Sequence, residues 1–283
     1  MTNIKLSIII PTCNRTDLLS SCIELLTSQI KALDATNFEI IVTDDSSNDF
    51  TKKIVEQKFK EVRWISGPKK GPASNRNNGA NQATGNWLIF VDDDCLPDKN
   101  LLTIYIQALY KYPNLQVFEG CVKTDRKQNR LDEESPVNEK GGFLWSCNFM
   151  INKQLFLYVF KGFDEQFPYA AMEDVDLAYR IRKNGNPIIF IENAIVIHPW
   201  RVQRHMISIT LKRFKSTLYF LKKHPEKKSE INSYYFLRAF YINLFRQTLS
   251  NAASFKFRGF FPKVCRDFMQ LYFAIYLFLF NDH

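Results

Sequence analysis

Three consecutive carboxylates, Asp92, Asp93 and Asp94, close the largely apolar run "NWLIFV" at residues 86–91. A second acidic pair, Asp44 and Asp45, follows "FEIIVT", and a third, Glu173 and Asp174, opens "EDVDLAYRIRKNG". Carboxylates held this close raise one another's pKa unless a cation compensates. A hard divalent cation with oxygen ligands, Mg²⁺ or Mn²⁺, is one solution. An isolated acidic triplet reads equally well as a solvated turn, but its recurrence at a second strand end favours a ligand site. For Glu173 and Asp174 the plain alternative is complementation of a helix dipole at its N-terminus.

The elements that must position these groups alternate along the chain. "KLSIIIPT", "FEIIVT", "EVRWIS" and "NWLIFV" read as strands, the first and last with the near-continuous apolar runs of buried parallel strands. Helical spacing predicts helices over 17–30, with Asp17 as N-cap, over 51–60, within 71–85 and over 101–112. Such alternation implies a doubly wound α/β sheet, mostly parallel, with helices on both faces. Ligands bind such sheets beyond the carboxyl ends of the strands, so Asp44-Asp45 and Asp92-Asp93-Asp94 should converge on one crevice. Further strands are expected at "QVFEGCV", "FLWSCNFMIN" and "PIIFIENAIVIHPW", and a helix over 171–185. Residues 123–142 are polar and aperiodic, which predicts a loop or lid.

The ordered set "SIIIPTCNR", "VTDDSSND", "GPASNRNNGA", "FVDDDCLPD", "GFDEQF" and "MEDVDLAYRIRKNG" resembles the inverting family 2 glycosyltransferases of GT-A fold, over about residues 5–200. That resemblance implies a nucleotide-sugar site. Asp45, with Asp44 beside it, would recognise the base, flanked by Pro11, Thr12 and Asn14. Asp92, Asp93 and Asp94 would be the D-x-D motif, with Asp92 on the ribose side and Asp94 on a Mn²⁺ or Mg²⁺ ion. Asp92 and His198 would be further metal ligands, and Arg76 with Asn77 would match the family's R-N pair. Asp174 would be the catalytic base, with Glu173 next to it, because an acceptor hydroxyl needs a carboxylate to take its proton. Trp145 and Asn148 match the acceptor-side strand loosely. The implied donor is a UDP-sugar, and the implied acceptor a glycan or lipid-linked saccharide of polysaccharide, lipopolysaccharide or capsule synthesis. Two rivals stay open at this level: a nucleotidyltransferase, although "PTCNRTD" lacks a glycine-rich phosphate loop, and a glycan-assembly scaffold without turnover.

The charge is divided unevenly. From His198 onward there are 15 Lys+Arg against 4 Asp+Glu, a balance of +11, whereas the first 197 residues hold 23 against 25, a balance of −2. The same last stretch carries 20 of the 41 aromatic residues. Interleaved basic and aromatic side chains suit an anionic lipid surface, and no nucleic-acid motif accompanies them. The longest apolar run, Leu271 to Phe280, would span about 15 Å as a helix, half a hydrocarbon core. The expectation is therefore a catalytic domain over 1–200 and a helical segment over 201–283. That segment would lie on the membrane, or pack on the catalytic domain or a second copy of the chain in a homo-oligomer. Six scattered cysteines without a C-x-x-C pair, and no cleavable signal pattern, lead to a cytoplasmic protein, peripheral on the inner face of the membrane.

Overall fold

The computed structural model describes residues 4–33 and 37–280, which divide into two compact units. The first comprises the described residues up to 125 together with 136–165 and 173–199. Its centre is a parallel set formed by β1 (Leu6–Thr12), β2 (Phe38–Asp44), β3 (Val62–Ser66) and β4 (Trp87–Val91). β5 (Leu96–Pro97) and β6 (Val117–Lys123) follow in the chain; residues 133–134 form β7, in the second unit, and β8 (Asn148–Asn152) and β9 (Ile189–Ile197) complete the sheet. The strand order is β3-β2-β1-β4-β8-β6-β9-β5, with β8 antiparallel to both β4 and β6.

Alternation along β1 and β4 explains why these strands are buried on both faces. Ile8, Ile10, Ile89 and Val91 pack with α1 (Thr16–Ala32), α2 (Phe50–Lys58) and α4 (Leu101–Lys111). Ile9, Leu88 and Phe90 point the other way, toward α3 (Pro72–Gln82) and α5 (Glu173–Lys183). Every helix in this unit therefore has an apolar sheet face to cover, and the strand ends carry the polar chemistry.

Two local expectations change, and the expected loop over 123–142 is tied down. α1 begins at Thr16 with Arg15 at the cap position and no side-chain cap; Asp17 lies inside the first turn, where its charge complements the helix dipole. The strand expected from Phe143 starts only at Asn148, leaving 143–147 as a loop. The stretch 123–142 is pinned: Val122 bridges Asn138, and the Glu119 carboxylate accepts from Asn138 Nδ2 (2.5 Å), Gly142 N (3.1 Å) and Phe143 N (2.8 Å).

The second unit joins residues 126–135 and 166–172 to the chain from Trp200 onward, so it begins where the sequence pattern shifts but also draws in two earlier segments. Its elements are β7 (Glu133–Glu134) paired antiparallel with β10 (Arg201–Val202), α6 (Met206–Lys223), α7 (Ser233–Tyr241), a π-helical continuation at Ile242–Leu249, and α8 (Phe260–Phe280). Asn232 caps α7 by accepting from Tyr235 N at 3.0 Å. Phe214 stacks on Phe273 at 3.8 Å and Phe236 meets both edge-on, giving the helices an aromatic core. Arg213 and Arg266 both pair with Glu134, which ties the 126–135 segment to α6 and α8. Among the described residues no helix is long and apolar enough to cross a membrane.

Candidate active site

β4 delivers the chain into a turn in which Cys95 N donates to Asp92 O at 3.1 Å, and Cys95 itself is buried in the core. The three carboxylates fan out from this anchored turn, and each has a partner. Arg76, on α3, is buried and places NH2 2.5 Å from Asp92 Oδ1. Arg15, in the loop after β1, places NH1 3.3 Å from Asp93 Oδ1 and 3.2 Å from Asp94 Oδ2. Asp93 also accepts from Thr12 Oγ1 at 2.8 Å. The positive charge that meets the triplet is thus two guanidinium groups, and charge strain alone demands no metal.

α5 brings the second acidic pair to the same place. Its start is fixed by Asp176, fully buried and paired with Arg180 at 2.7 Å, while Arg180 donates to the carbonyls of Phe160 and Gly162. Glu173 lies 3.9 Å from Arg76 NH1, so one arginine bridges the β4 turn and the head of α5. Asp174, half-buried, accepts from Val175 N at 2.8 Å and from the Ser146 N–H.

Burial, reinforced by Asp174, pushes the Glu173 carboxyl up to about 7 despite Arg76. Burial raises Asp174 as well, against the backbone N–H groups and Arg76 that favour its anion. Asp93 is lifted to about 6 by burial and by Asp94, with Arg15 and Thr12 opposing. Burial works against the Arg76 charge, but Asp92 and Glu173 outweigh it and raise that pKa. At neutral pH the Glu173–Asp174 pair is therefore poised to hold or release a proton.

Four buried polar atoms in this region lack a hydrogen-bond partner: Arg76 Nε and NH1, Glu173 Oε2 and Trp145 Nε1. Buried polar groups are overwhelmingly paired, so such a concentration marks a place built to receive a polar ligand. A metal also fits here. His198 Nε2 lies 3.4 Å from Asp94 Oδ1, and its Nδ1 is 3.1 Å from the Pro199 carbonyl, an acceptor that fixes the proton on Nδ1. His198 Nε2 and Asp94 Oδ1 together would offer a cation one nitrogen and one oxygen donor. Cys95 Sγ completes the cluster 4.0 Å from the same Asp94 Oδ1, but Cys147 beside it and burial raise its thiol pKa, and a nitrogen-plus-carboxylate pair suits Mn²⁺.

Other expected site residues have different work. Asp92 lies outside the donor cluster of Asp94, Cys95 and His198, and one of its oxygens is paired with Arg76. Asp93 is buried and braces Thr12 and Arg15. Asp44 is buried, accepting from Ser46 N and Trp64 Nε1. Asp45 is half-exposed and holds the turn of Lys69 and Gly71 through their N–H groups. Pro11 and Thr12 are buried, and Asn14 is exposed at φ 55° with its N–H on Ser46 Oγ. Asn77 is a loop holder: its amide bonds Phe163 N, Phe163 O and Glu165. Asn148 is fully buried, and its amide accepts from Tyr105 and donates to Cys121 O and Ala194 O. Trp145 stacks on Phe143 at 5.4 Å, and its buried Nε1 has no hydrogen-bond partner. Arg15 escaped the sequence reading although it stands in "PTCNR"; only the loop's path brings it to Asp94.

Residues 7–172 match the profile of "Glycosyl transferase family 2", ending one residue before Glu173. A Campylobacter jejuni protein named GalNAc(5)-diNAcBac-PP-undecaprenol beta-1,3-glucosyltransferase is 32% identical over 180 residues, covering 58% of this chain and 56% of that protein. Validoxylamine A glucosyltransferase of Streptomyces hygroscopicus subsp. jinggangensis is 26% identical over 268 residues, covering 80% of this chain and 62% of that protein. The chain thus spans little more than half the length of these relatives. Among solved structures, the mannosyltransferase PcManGT from Pyrobaculum calidifontis, in complex with GDP-Man and Mn²⁺, superposes with TM-score 0.63 at 16% identity, over 100% of this chain and 89% of that one. S. aureus TarS 1-349 in complex with UDP-GlcNAc gives 0.56 at 20% identity, over 96% and 82%. At these identities the likeness is one of fold, and the fold is GT-A.

Proposed function

The chain belongs to glycosyl transferase family 2, and from that premise we propose that it is a metal-dependent, inverting glycosyltransferase. Its donor is a nucleotide sugar, a UDP-sugar in this reading. Its acceptor is a glycan or lipid-linked saccharide in bacterial surface-polysaccharide synthesis, as the name of the Campylobacter jejuni relative suggests. The observation that carries the reading is the bridge by Arg76: one buried guanidinium joins Asp92 at the β4 turn to Glu173 at the head of α5, with unpartnered polar atoms beside it.

In this mechanism Asp174 accepts the proton of the acceptor hydroxyl as that oxygen attacks the anomeric carbon. Glu173 shares the proton load, and Arg76 keeps the pair from drifting further toward neutrality. A single displacement inverts the anomeric centre, so no enzyme nucleophile is required. Asp94 and His198 would hold Mn²⁺ or Mg²⁺, which when bound offsets negative charge on a departing diphosphate. Asp45 and Asn14 are the partly exposed groups at the ends of β2 and β1 that could meet a base. The C-terminal unit would rest on the anionic cytoplasmic face of the membrane, and a second copy of the chain is the competing partner for its helices.

The test is a panel of UDP-, GDP- and TDP-sugars with a lipid-linked saccharide acceptor, with Mn²⁺, Mg²⁺ or chelator. Release of nucleoside diphosphate, and a product of inverted anomeric configuration by NMR, is the expected result. Release of pyrophosphate would reassign the site to nucleotidyl transfer. Binding of donors without turnover of any would leave a scaffold.

A further inference from the structure

The second unit contains an open surface cavity of about 750 Å³, broadly exposed to solvent, where α6 and α8 begin. No carboxylate lines it. Arg204, Lys212 and Lys215 do, and Lys212 and Lys215 are exposed side chains. The first turn of α6, Met206 to Ser208, forms part of the wall, and α6 has no side-chain cap, so the positive end of its dipole adds to the same field. The rest of the wall is largely apolar, including Leu211, Ile207 and Phe261, the last two 46% and 79% exposed. Exposed large apolar side chains gathered at a rim mark an interaction site rather than a random surface.

The combination selects the ligand. A bare phosphate would satisfy the cations and leave the apolar wall wet; a purely apolar ligand would do the reverse. A nucleic-acid backbone supplies the charge without an aliphatic chain. An amphiphile supplies both, and the volume falls within the range of about 300–1,000 Å³ that small-molecule sites occupy. Phe257 and Phe261 are exposed just before and at the start of α8, the type of side chain that settles at headgroup depth. We propose that this cavity binds the phosphate headgroup and first methylenes of an anionic membrane phospholipid, so that the C-terminal unit seats on a bilayer through a defined lipid site. The proposal rests on the membrane part of the proposed function and on none of its catalytic assignments.

Cys265 lines the cavity and is exposed, and Cys13, exposed in the first unit, supplies an internal control. In the full chain, maleimide labelling followed by peptide mass mapping reads both thiols. Short-chain phosphatidylglycerol should slow labelling of Cys265 severalfold and leave Cys13 unchanged. The exposed double variant Lys212→Gln/Lys215→Gln, with an unaltered thermal melt, should lose that protection. Equal protection by phosphatidylcholine, by inorganic phosphate alone, or by farnesyl phosphate in preference to phosphatidylglycerol would each overturn the assignment. Binding of the chain to vesicles containing phosphatidylglycerol without protection of Cys265 would overturn the cavity while leaving the membrane reading intact. No vesicle binding would remove both, and neither result touches the transferase reading, because no activity is measured.

Discussion

Each unit buries a cationic side chain against carboxylates, and the two arrangements are finished differently. In the C-terminal unit Lys263 donates to Thr248 Oγ1 (2.9 Å) and Asp267 Oδ1 (2.5 Å), while Thr248 donates to Asp267 Oδ2 (2.6 Å). Lys263, Thr248 and Asp267 are all buried, and none of their side-chain atoms is left unpartnered. In the first unit Arg76 meets Asp92 and Glu173 but leaves two of its own nitrogens and one oxygen of Glu173 without a hydrogen bond. A closed network of charges specifies packing; an open one holds charge ready for something that arrives. The cost of the open network shows in Glu173, lifted to about 7.

The comparison is broken or sharpened most by the base. Asp174→Asn should keep nucleotide binding and lower transfer by about 10²–10⁴-fold. Transfer within threefold of the parent would return Asp174 to a helix-capping role. Next is the closed network. Asp267→Ala strands the buried Lys263 ammonium and should cost about 3–5 kcal/mol in urea denaturation, with nucleotide binding by the folded fraction unchanged. The volume-matched double change Lys263→Met/Asp267→Leu should restore much of that stability, as expected where a charge pair serves packing alone. If Asp267→Ala instead weakened nucleotide binding at constant fold, the two networks would not be separable.

A smaller effect is expected at the Asp94–His198 pair. His198→Gln should weaken Mn²⁺ binding, read by electron paramagnetic resonance, by at least the roughly 10–100-fold typical of losing an outer-shell partner. Unchanged Mn²⁺ affinity would confine His198 to its contact with Pro199.

The smallest effect is the pH dependence. Transfer should rise with pH through about 7 as the Glu173–Asp174 pair gives up its proton. Stability has the opposite slope. A carboxyl whose folded pKa is raised contributes stability present below its ordinary 4.5, and that contribution is lost as pH rises through about 7. Thermal midpoints of the ligand-free chain should therefore fall across that interval. Glu173→Gln should flatten both the midpoint profile and the pH–rate profile; a profile unaltered by this change would mean that another group titrates.

The residue pattern determined the sheet and the convergence. Apolar runs at "LSIIIP" and "WLIFV" read as buried strands, and the acidic groups at the ends of "FEIIVT" and "WLIFV" must gather at one end of a parallel sheet. The alternation of strand and helix was legible for the same reason, since each strand face needs an apolar helix to cover it. What the linear order could not decide was which acid keeps a ligand-facing oxygen. Asn77, Asn148, Asp44 and Asp93 are buried, and each is hydrogen-bonded to neighbouring scaffold groups that the linear order does not reveal. Arg15 and Arg76, 61 positions apart in the chain, answer the charge of the Asp92–Asp94 triplet, and only the tertiary path of α3 and the β1–α1 loop brings them to it. A hydrophobic pattern fixes where a strand lies because burial is non-directional and additive along it. A hydrogen-bond partner is chosen by distance and angle within a few tenths of an ångström, and that geometry exists only once the chain is folded.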